Sequence, residues 1–366
     1  MRFPLLDGDN ARINEPLATA MLRRAIDNGV NYIDTAYPYH AENFHTGGAS
    51  EPFLGKALSD GYREKVYLAT KLPSWLVKSR EDMDRFLDEQ LERLATSHID
   101  FYLLHSMNER NWRVLNELGV FDFIERALES GKIRHIGFSF HDELPLFREI
   151  VDARDWDFCQ VMYNYYDEHY QAGREGLEYA ASKGLGTVVM EPLRGGSLIR
   201  GLPAEARRVF KEAAPGRSEA GWALGWLWEQ DAVEVVLSGM STMEQVEENL
   251  DLATTRWDEE WGAPDAHAVE KASGVIHELQ KVNCTACAYC MPCPHGVNIP
   301  RNFSLCNDHH MLDDPAARNR YYGFLSEKQR ASACVQCGEC LEKCPQHIDI
   351  PEELSHVVDI FEKQQP

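Results

Sequence analysis

The sequence predicts an α/β protein, built as a (β/α)8-type TIM barrel and followed by a smaller, mainly helical domain. Seven runs of strand length, rich in β-branched or aromatic residues, each end on a polar or charged side chain. Helical patterns lie between these runs, and such alternation is typical of a parallel sheet, which most often closes into a barrel at this number of units. Nine of the ten cysteines follow position 283 in close clusters, which sets the carboxyl-terminal part apart.

The predicted elements alternate along the first two thirds of the chain. Strands are expected at 31–34, 66–71, 99–105, 133–139, 158–164, 186–191 and 233–238, and helices at 15–29, 79–94, 120–129, 143–151, 173–182, 218–229 and 242–250. The first helix stops at Gly29, a typical carboxyl-terminal cap, and the last begins at Ser241 with Glu244 at capping-box spacing. No convincing strand precedes the first helix, so either the opening strand is missing from this chain or the barrel closes unconventionally.

Length and charge limit the classes of function. With 366 residues and 44% hydrophobic content, the chain can form two domains, which we expect to be a barrel at 1–255 and a linker with a carboxyl-terminal domain at 256–366. The formal net charge of −22 argues against nucleic acid or an anionic membrane as partner. Because the apolar runs are too short to span a membrane, we expect a soluble, cytoplasmic protein.

The ends of the predicted strands carry the candidate catalytic groups. In a parallel barrel these ends meet on one rim, to which the strands contribute Asp34, Lys71, His105, Ser139, Asn164, Glu191 and Ser238. Tyr39 follows Asp34 closely. A lysine ammonium held by a carboxylate can lower the pKa of a nearby phenol from about 10, which would make tyrosine a usable proton donor. The alternative is structural: the aspartate and lysine close one layer of the barrel while the tyrosine and histidine fill the rim.

Several motifs resemble the aldo/keto reductases. They are the segments 31–36 (NYIDTA) with Tyr39, 50–58 (SEPFLGKAL), 69–71 (ATK), 100–105 (DFYLLH), 131–139 (GKIRHIGFS) and 248–249 (EN). The resemblance covers residues 14–250 and implies that Tyr39 is the general acid/base, with Lys71 and Asp34 as its pKa partners. His105 would orient a carbonyl oxygen. The implied reaction exchanges hydride between NAD(P)H and a small carbonyl or alcohol substrate.

The same resemblance implies where the nicotinamide cofactor binds. The expected contacts are Ser139, Gln160, Ser238, Gly239, Glu248 and Asn249. Two positions depart from the family. Phe140 follows Ser139 where an asparagine is common, and residues 238–243 carry no cation where many members place lysine or arginine against the 2′-phosphate. A strong preference for NADPH is therefore not expected.

The carboxyl-terminal cysteines form two runs. Cys284, Cys287, Cys290 and Cys293 are each separated by two residues, as are Cys334, Cys337 and Cys340. Three residues separate Cys340 from Cys344, which precedes a proline. The second run matches the bacterial ferredoxin spacing, in which three thiolates bind one [4Fe–4S] cluster and the fourth binds the other. Paired CxxC motifs also form structural zinc sites, although a third cysteine at the same spacing favours iron–sulfur.

Crossed ligation predicts two [4Fe–4S] clusters. Cys284, Cys287, Cys290 and Cys344 would hold one, and Cys334, Cys337, Cys340 and Cys293 the other. The tail is similar to that of aldo/keto reductases with a carboxyl-terminal ferredoxin-type domain. The first hypothesis is an iron–sulfur aldo/keto reductase; the second is an electron-transfer or redox-sensing protein whose barrel binds a partner or ligand without hydride chemistry. A redox partner protein fits either hypothesis.

Overall fold

The structure is a computed structural model that describes residues 2–42, 45–284, 290–312, 316–344 and 346–363. The chain forms two compact units. The first comprises Met1–Gly195 and Ala223–Trp261, and the second comprises Gly196–Trp222 and Gly262–Pro366. The second unit therefore combines the carboxyl-terminal region with a segment that follows the sixth strand.

Seven parallel strands make up the sheet of the first unit. They are β1 (Tyr32–Asp34), β2 (Tyr67–Leu72), β3 (Ile99–Met107), β4 (Ile133–Phe140), β5 (Phe158–Met162), β6 (Gly186–Met190) and β7 (Val235–Val236), and each pairs with the next in sequence order. Among the described residues β7 does not pair with β1, so the sheet is open at that seam. An eight-stranded barrel has its remaining strand at this position.

Helices cover the outside of the sheet and continue across the open seam. In the first unit they are α1 (Glu15–Asp27), α2 (Ser50–Ala57), α3 (Arg80–Arg93), α4 (Glu109–Glu117), α5 (Val120–Glu129), α6 (Leu144–Asp152), α7 (Gly173–Ser182), α11 (Met243–Ala253) and α12 (Trp257–Glu260). The helices α8 (Ser197–Arg200) and α9 (Ala204–Ala213) belong to the second unit, and α10 (Glu219–Trp228) contains residues of both. Met21 and Ala25 of α1 pack against Val246 of α11, and Arg24 binds Glu247 with nitrogen–oxygen distances of 2.8 and 2.9 Å. The helical layer is thus closed where the strand layer is not.

The interior of the sheet is apolar. Ala69, Leu103, Phe158 and Val188 form one buried layer, drawn from four different strands. Each strand alternates its side chains between this interior and the helices, which is why the strands are apolar along their whole length. The rim at the carboxyl ends of the strands is left to carry polar groups.

The second unit has its own core. Its helices include α13 (Ala263–Glu278), α14 (Ile299–Leu312), α15 (Ala317–Phe324) and α16 (Ile350–Val358). Phe303, Tyr321, Leu354 and Phe361 are buried in this core, and cysteines from both runs pack against it. In the segment expected to be a linker, Trp257 is buried and begins α12. Within the described ranges no helix is both long and apolar enough to cross a membrane.

Candidate active site and cysteine pocket

Asp34, Tyr39 and Lys71 lie together at the ends of β1 and β2. The Lys71 ammonium donates to Asp34 Oδ1 at 2.5 Å and to the Thr35 carbonyl oxygen at 2.7 Å. Its Nζ lies 3.5 Å from the Tyr39 hydroxyl and 4.9 Å from the centre of the Tyr39 ring. Lys71 is fully buried and the Asp34 side chain is 11% exposed, so this is a desolvated ion pair that contacts a phenol.

Burial changes the expected acidity of the phenol. Desolvation raises the pKa of Tyr39 above its usual value, and the Lys71 ammonium only partly offsets that rise. The sequence-based expectation of a net lowering is therefore not met, because the cost of burying a phenolate exceeds the attraction of the ammonium. Burial also lowers the pKa of Lys71, but the charges of Asp34 and Tyr39 outweigh it and the net pKa is raised. The geometry holds a protonated phenol beside a charged lysine.

A network behind β2 fixes the backbone of Lys71. Gln90 on α3 donates to the Lys71 carbonyl oxygen at 3.0 Å and to Glu51 Oε1 at 2.8 Å. Glu51 is completely buried and also accepts from Thr70 Oγ1 at 2.7 Å and from Arg93 Nε at 2.8 Å. Glu51 is part of one of the sequence motifs, but the motif does not indicate its role in this network, because its partners lie up to 42 positions away.

The loop after β1 sets the position of Tyr39. Gly48 lies against this tyrosine, and a Cβ built on Gly48 would lie 2.0 Å from the Tyr39 carbonyl oxygen. The Gly48 amide donates to the Tyr37 carbonyl oxygen at 2.8 Å, and the Ser50 amide donates to the Tyr39 carbonyl oxygen at 3.2 Å. Only glycine fits at position 48, since any side chain would displace the tyrosine backbone.

A β-bulge directs His105. Leu104 pairs with Phe138 and Met107 with Phe140, so β3 has one extra residue between these pairs, and Ser106 adopts a φ of +56°. The Ser106 amide donates to Ser139 Oγ at 2.8 Å. His105 thereby faces Tyr39, with ring centroids 6.1 Å apart, and Trp75, with centroids 5.1 Å apart. Sequence reasoning missed Trp75, which lies four residues after Lys71.

His105 is neutral in this environment. Burial, the Lys71 ammonium and His141 lower the pKa of His105 well below its usual range. Its Nδ1 is buried without a hydrogen-bond partner among the described residues. A neutral imidazole beside the phenol can offer one N–H to a carbonyl oxygen.

The residues expected to hold a nicotinamide fall into two groups. Ser139 and Gln160 are paired neighbours on β4 and β5, each 1% exposed. The Ser139 hydroxyl accepts from the bulge at Ser106, while Gln160 Oε1 is buried without a partner among the described residues. An orphaned amide oxygen fits the N–H group of a carboxamide.

The second group surrounds the end of β7. Asn249 on α11 donates to Ser238 Oγ at 2.8 Å, which joins the helix to the loop that contains Gly239. Thr242 caps α11 by accepting from the Gln245 amide at 3.3 Å. Glu248 is exposed on the same helix. The structure thus brings Ser238, Gly239 and Asn249 together at the rim.

A further network at the rim follows β5 and β6. Asn164 Nδ2 donates to the Glu191 carbonyl oxygen at 3.2 Å and to Asp167 Oδ2 at 3.1 Å. Arg194 donates to the same carboxylate oxygen from Nε at 2.8 Å and stacks over Tyr166, 4.8 Å from its ring centre. The sequence placed Asn164 and Glu191 on the rim, whereas their direct hydrogen bond and the link from Asn164 through Asp167 to Arg194 required the fold.

Four cysteines of the second unit line one pocket. Cys293 of the first run and Cys334, Cys337 and Cys340 of the second surround it, together with His295, Ile299, Val335, Gly338, Pro351 and Leu354. Burial raises the pKa of the Cys340 thiol, and the other three cysteines add to that rise, as expected for close sulfur atoms. The set matches the crossed arrangement for one cluster.

The remaining cysteines are less completely described. Cys284, Cys290 and Cys344 pack, partly buried, against the core of the second unit, whereas Cys287 lies outside the described residues. Within the described ranges, no three histidine, cysteine or carboxylate side chains are arranged to hold a single metal ion.

Comparison with known proteins covers both parts of the chain. The profile of the Aldo/keto reductase family matches residues 5–268, and that of the 4Fe-4S dicluster domain matches residues 283–348. These matches confirm the predicted combination of an α/β barrel and an iron–sulfur domain. The boundary between them falls within α13 and the residues after it.

Curated relatives are similar over most of their length. The uncharacterized oxidoreductase YrpG of Bacillus subtilis is 28% identical over 68% of this chain and 85% of its own. The L-glyceraldehyde 3-phosphate reductase of Escherichia coli K12 is 26% identical over 63% and 77%. The L-galactose dehydrogenase of Arabidopsis thaliana is 28% identical over 66% and 79%.

Solved structures share the fold. The holo form of aldo-keto reductase AKR11C1 from Bacillus halodurans has a TM-score of 0.59 and 24% identity, and covers 74% of this chain and 91% of its own. An aldo/keto reductase from Klebsiella pneumoniae, solved with NADP and acetate, has a TM-score of 0.60 and 23% identity, with coverages of 74% and 89%. At these identities the likeness concerns the fold alone.

Proposed function

Because the chain belongs to the aldo/keto reductase family, we propose that it is a nicotinamide-dependent oxidoreductase that interconverts a small carbonyl compound and the corresponding alcohol. The observation that carries this proposal is the contact of the buried Lys71 ammonium with both Asp34 and the Tyr39 hydroxyl. When bound, the nicotinamide supplies the hydride that adds to the carbonyl carbon. The residues of the chain supply the proton and the orientation.

Tyr39 acts as the general acid in reduction. Its hydroxyl transfers a proton to the carbonyl oxygen, and the phenolate that remains is stabilised by the Lys71 ammonium 3.5 Å away. The neutral His105 donates its N–H to the same oxygen and thereby orients the substrate. In the direction of alcohol oxidation, the phenolate takes the proton back.

Gln160 supports nicotinamide as the cofactor. Its Oε1 is a buried acceptor without a partner among the described residues, which costs about 1–3 kcal/mol unless a ligand satisfies it. A carboxamide N–H is such a ligand group. Ser139 is its neighbour on β4, and its hydroxyl can donate while it accepts from Ser106.

Sugar-derived aldehydes and alcohols are the first substrates to screen. The names of three relatives indicate substrates of this kind: L-glyceraldehyde 3-phosphate reductase, L-galactose dehydrogenase and 6-dehydroglucose reductase. Within the candidate site, the Tyr39 hydroxyl and the neutral His105 can hydrogen-bond to the reacting oxygen of such a substrate.

The second unit holds two [4Fe–4S] clusters under this proposal. The pocket of Cys293, Cys334, Cys337 and Cys340 supports one of them. The other would use Cys284, Cys287, Cys290 and Cys344, in line with the match to a dicluster domain. When bound, such clusters transfer single electrons.

The test compares Tyr39→Phe with Tyr37→Phe in the full chain, purified without oxygen. Tyr37 is a matched control, since it lies two residues away and its hydroxyl donates to Glu89 at 3.1 Å. We expect Tyr39→Phe to lose carbonyl reduction by about 10²–10⁴-fold and Tyr37→Phe to retain it. Cluster absorbance should be equal in all three proteins. Retained turnover in Tyr39→Phe would overturn the assignment of the acid.

One observation favours a second function for the cysteine pocket. Cys337 is exposed, and Val335 and Leu341 beside it are 59% and 41% exposed. A cluster at this surface could exchange electrons with a partner protein. If that is its role, dithionite-reduced protein should be oxidised by cytochrome c at a rate that falls in Val335→Glu and is unchanged in Tyr39→Phe. Equal rates in wild type and Val335→Glu would contradict it.

A further inference from the structure

Arg2 lies beside two loops at the carboxyl ends of the last two strands. Its Nη1 donates to the carbonyl oxygen of Gly195, in the loop after β6, at 2.9 Å. Its methylene groups cover Gly239, in the loop after β7, where a Cβ would lie 3.1–3.2 Å from Arg2 carbons. The next residue, Phe3, donates its amide to His40 Nε2 at 3.2 Å, beyond β1. Residues 2 and 3 therefore follow the rim across the open seam of the sheet.

No residue in the described part of the chain neutralises the charge of Arg2. Within the described part of the chain it forms no ion pair, and its recorded partner is a backbone carbonyl group. Arg12, by contrast, is exposed and is paired with Asp7 at 3.1 Å. An exposed guanidinium held by one nitrogen retains further N–H donors for a ligand.

The position of Arg2 corresponds to a common phosphate site. In TIM barrels, the loops after the last two strands frequently bind phosphate. The loop after β7 carries no cation between Ser238 and Met243, although a dinucleotide brings two or more negative charges. Arg2 reaches these loops from a segment remote in sequence, and Gly239 leaves the space for its side chain.

We propose that Arg2 binds the pyrophosphate of the nicotinamide dinucleotide. The Arg2 guanidinium lies on the loop after β6. Only the methylene groups of the Arg2 side chain cover the loop after β7, where the 2′-phosphate contact is expected. Arginine forms paired hydrogen bonds to phosphate oxygens, so the contact is common to NADH and NADPH. The inference rests on the proposed cofactor and adds to it a binding residue without a counterpart in the motifs.

The experiment measures the Kd of NADH and NADPH by quenching of intrinsic fluorescence in wild type, Arg2→Gln, Arg2→Lys and the control Arg12→Gln. Arg12 is 55% exposed and pairs with Asp7. We expect Arg2→Gln to raise both Kd values about tenfold. Arg2→Lys should raise them less, and Arg12→Gln should leave them unchanged. The dependence of Kd on salt should also weaken in Arg2→Gln. Far-UV circular dichroism verifies that each variant is folded. If Arg2→Gln is unstable, Arg2→Lys, which keeps the positive charge, is compared with wild type instead.

Each outcome decides between the alternatives. Unchanged Kd values in Arg2→Gln would overturn the role of Arg2 while leaving the proposed function intact. A rise for NADPH alone would overturn the pyrophosphate assignment and place the guanidinium on the 2′-phosphate. If wild type binds neither nucleotide, the proposed function and the role of Arg2 fail together.

Discussion

Removing the charge of Lys71 should destabilise the first unit strongly, and the further loss on removing the charge of Asp34 as well should be smaller than the loss that this second change causes alone. The Lys71 side chain is fully buried, Asp34 is 11% exposed, and their charged atoms are 2.5 Å apart. Loss of one partner leaves a buried charge without compensation, which costs about 3–5 kcal/mol. Lys71→Met also leaves the Thr35 carbonyl oxygen without its 2.7 Å donor.

The double variant Asp34→Asn/Lys71→Met separates the ion pair from packing. If the charges interact as the structure indicates, its loss of stability should be smaller than the sum of the single losses by about 0.5–3 kcal/mol. The control pair is Lys56→Met with Glu15→Gln, whose side chains are 67% and 48% exposed. That pair should couple by less than about 1 kcal/mol.

The assay is urea unfolding followed by tryptophan fluorescence. Seven of the eight tryptophans lie in the first unit, with Trp222 as the exception, so the signal reports mainly on that unit. A second transition from the other unit is followed separately by cluster absorbance, since two units need not unfold together. Additive losses in the double variant would refute the argument that Lys71 and Asp34 form one coupled, desolvated pair.

The remaining predictions concern acidity, the loop and the clusters. Because the pKa of Tyr39 is raised, the rate of reduction should stay constant from pH 7 to about 10 and fall only above it; an alkaline decline below pH 9 would contradict this. The pKa of His105 is lowered in the folded protein, so below the unfolded-state pKa of about 6.5 the unfolded chain binds a proton that the folded protein does not, and the free energy of unfolding falls. Between pH 6.5 and 5, His105→Gln should therefore lose less stability in urea unfolding than wild type, by up to about 1.4 kcal/mol per pH unit. Gly48→Ala should lower kcat by displacing Tyr39, with thermal unfolding as the control for folding. Cys293→Ser should reduce iron from about eight to about four atoms per chain, whereas Cys306→Ser, a buried core thiol, should not.

The seven predicted strands and the helices between them are observed, because each depends on a local pattern of apolar residues. The residues at which the strands begin and end were less predictable. The last strand was expected at 233–238 and spans only Val235–Val236, whereas the first ends at Asp34, as expected. Strand ends are set by hydrogen bonds to neighbouring strands, which a single segment does not encode.

The sequence predicted which residues form the candidate site, but not how their side chains are oriented or buried. Strand-end positions indicated Asp34, Lys71 and His105, since parallel strands end on one rim. The orientation of His105 depends on the bulge at Ser106, which is stabilised by Ser139 from another strand. No feature of residues 99–107 alone indicates that extra residue.

By itself, the sequence determined the strand–helix alternation, the polar groups at the strand ends and the spacing of the cysteines. All three are local properties, fixed by side-chain chemistry and by distance along the chain. Only the tertiary structure decided that burial raises the pKa of Tyr39 despite Lys71, that Cys293 shares a pocket with Cys334 and that Arg2 reaches the loops after β6 and β7. Desolvation and long-range contacts depend on which distant segments pack together, and that information exists only once the chain has folded.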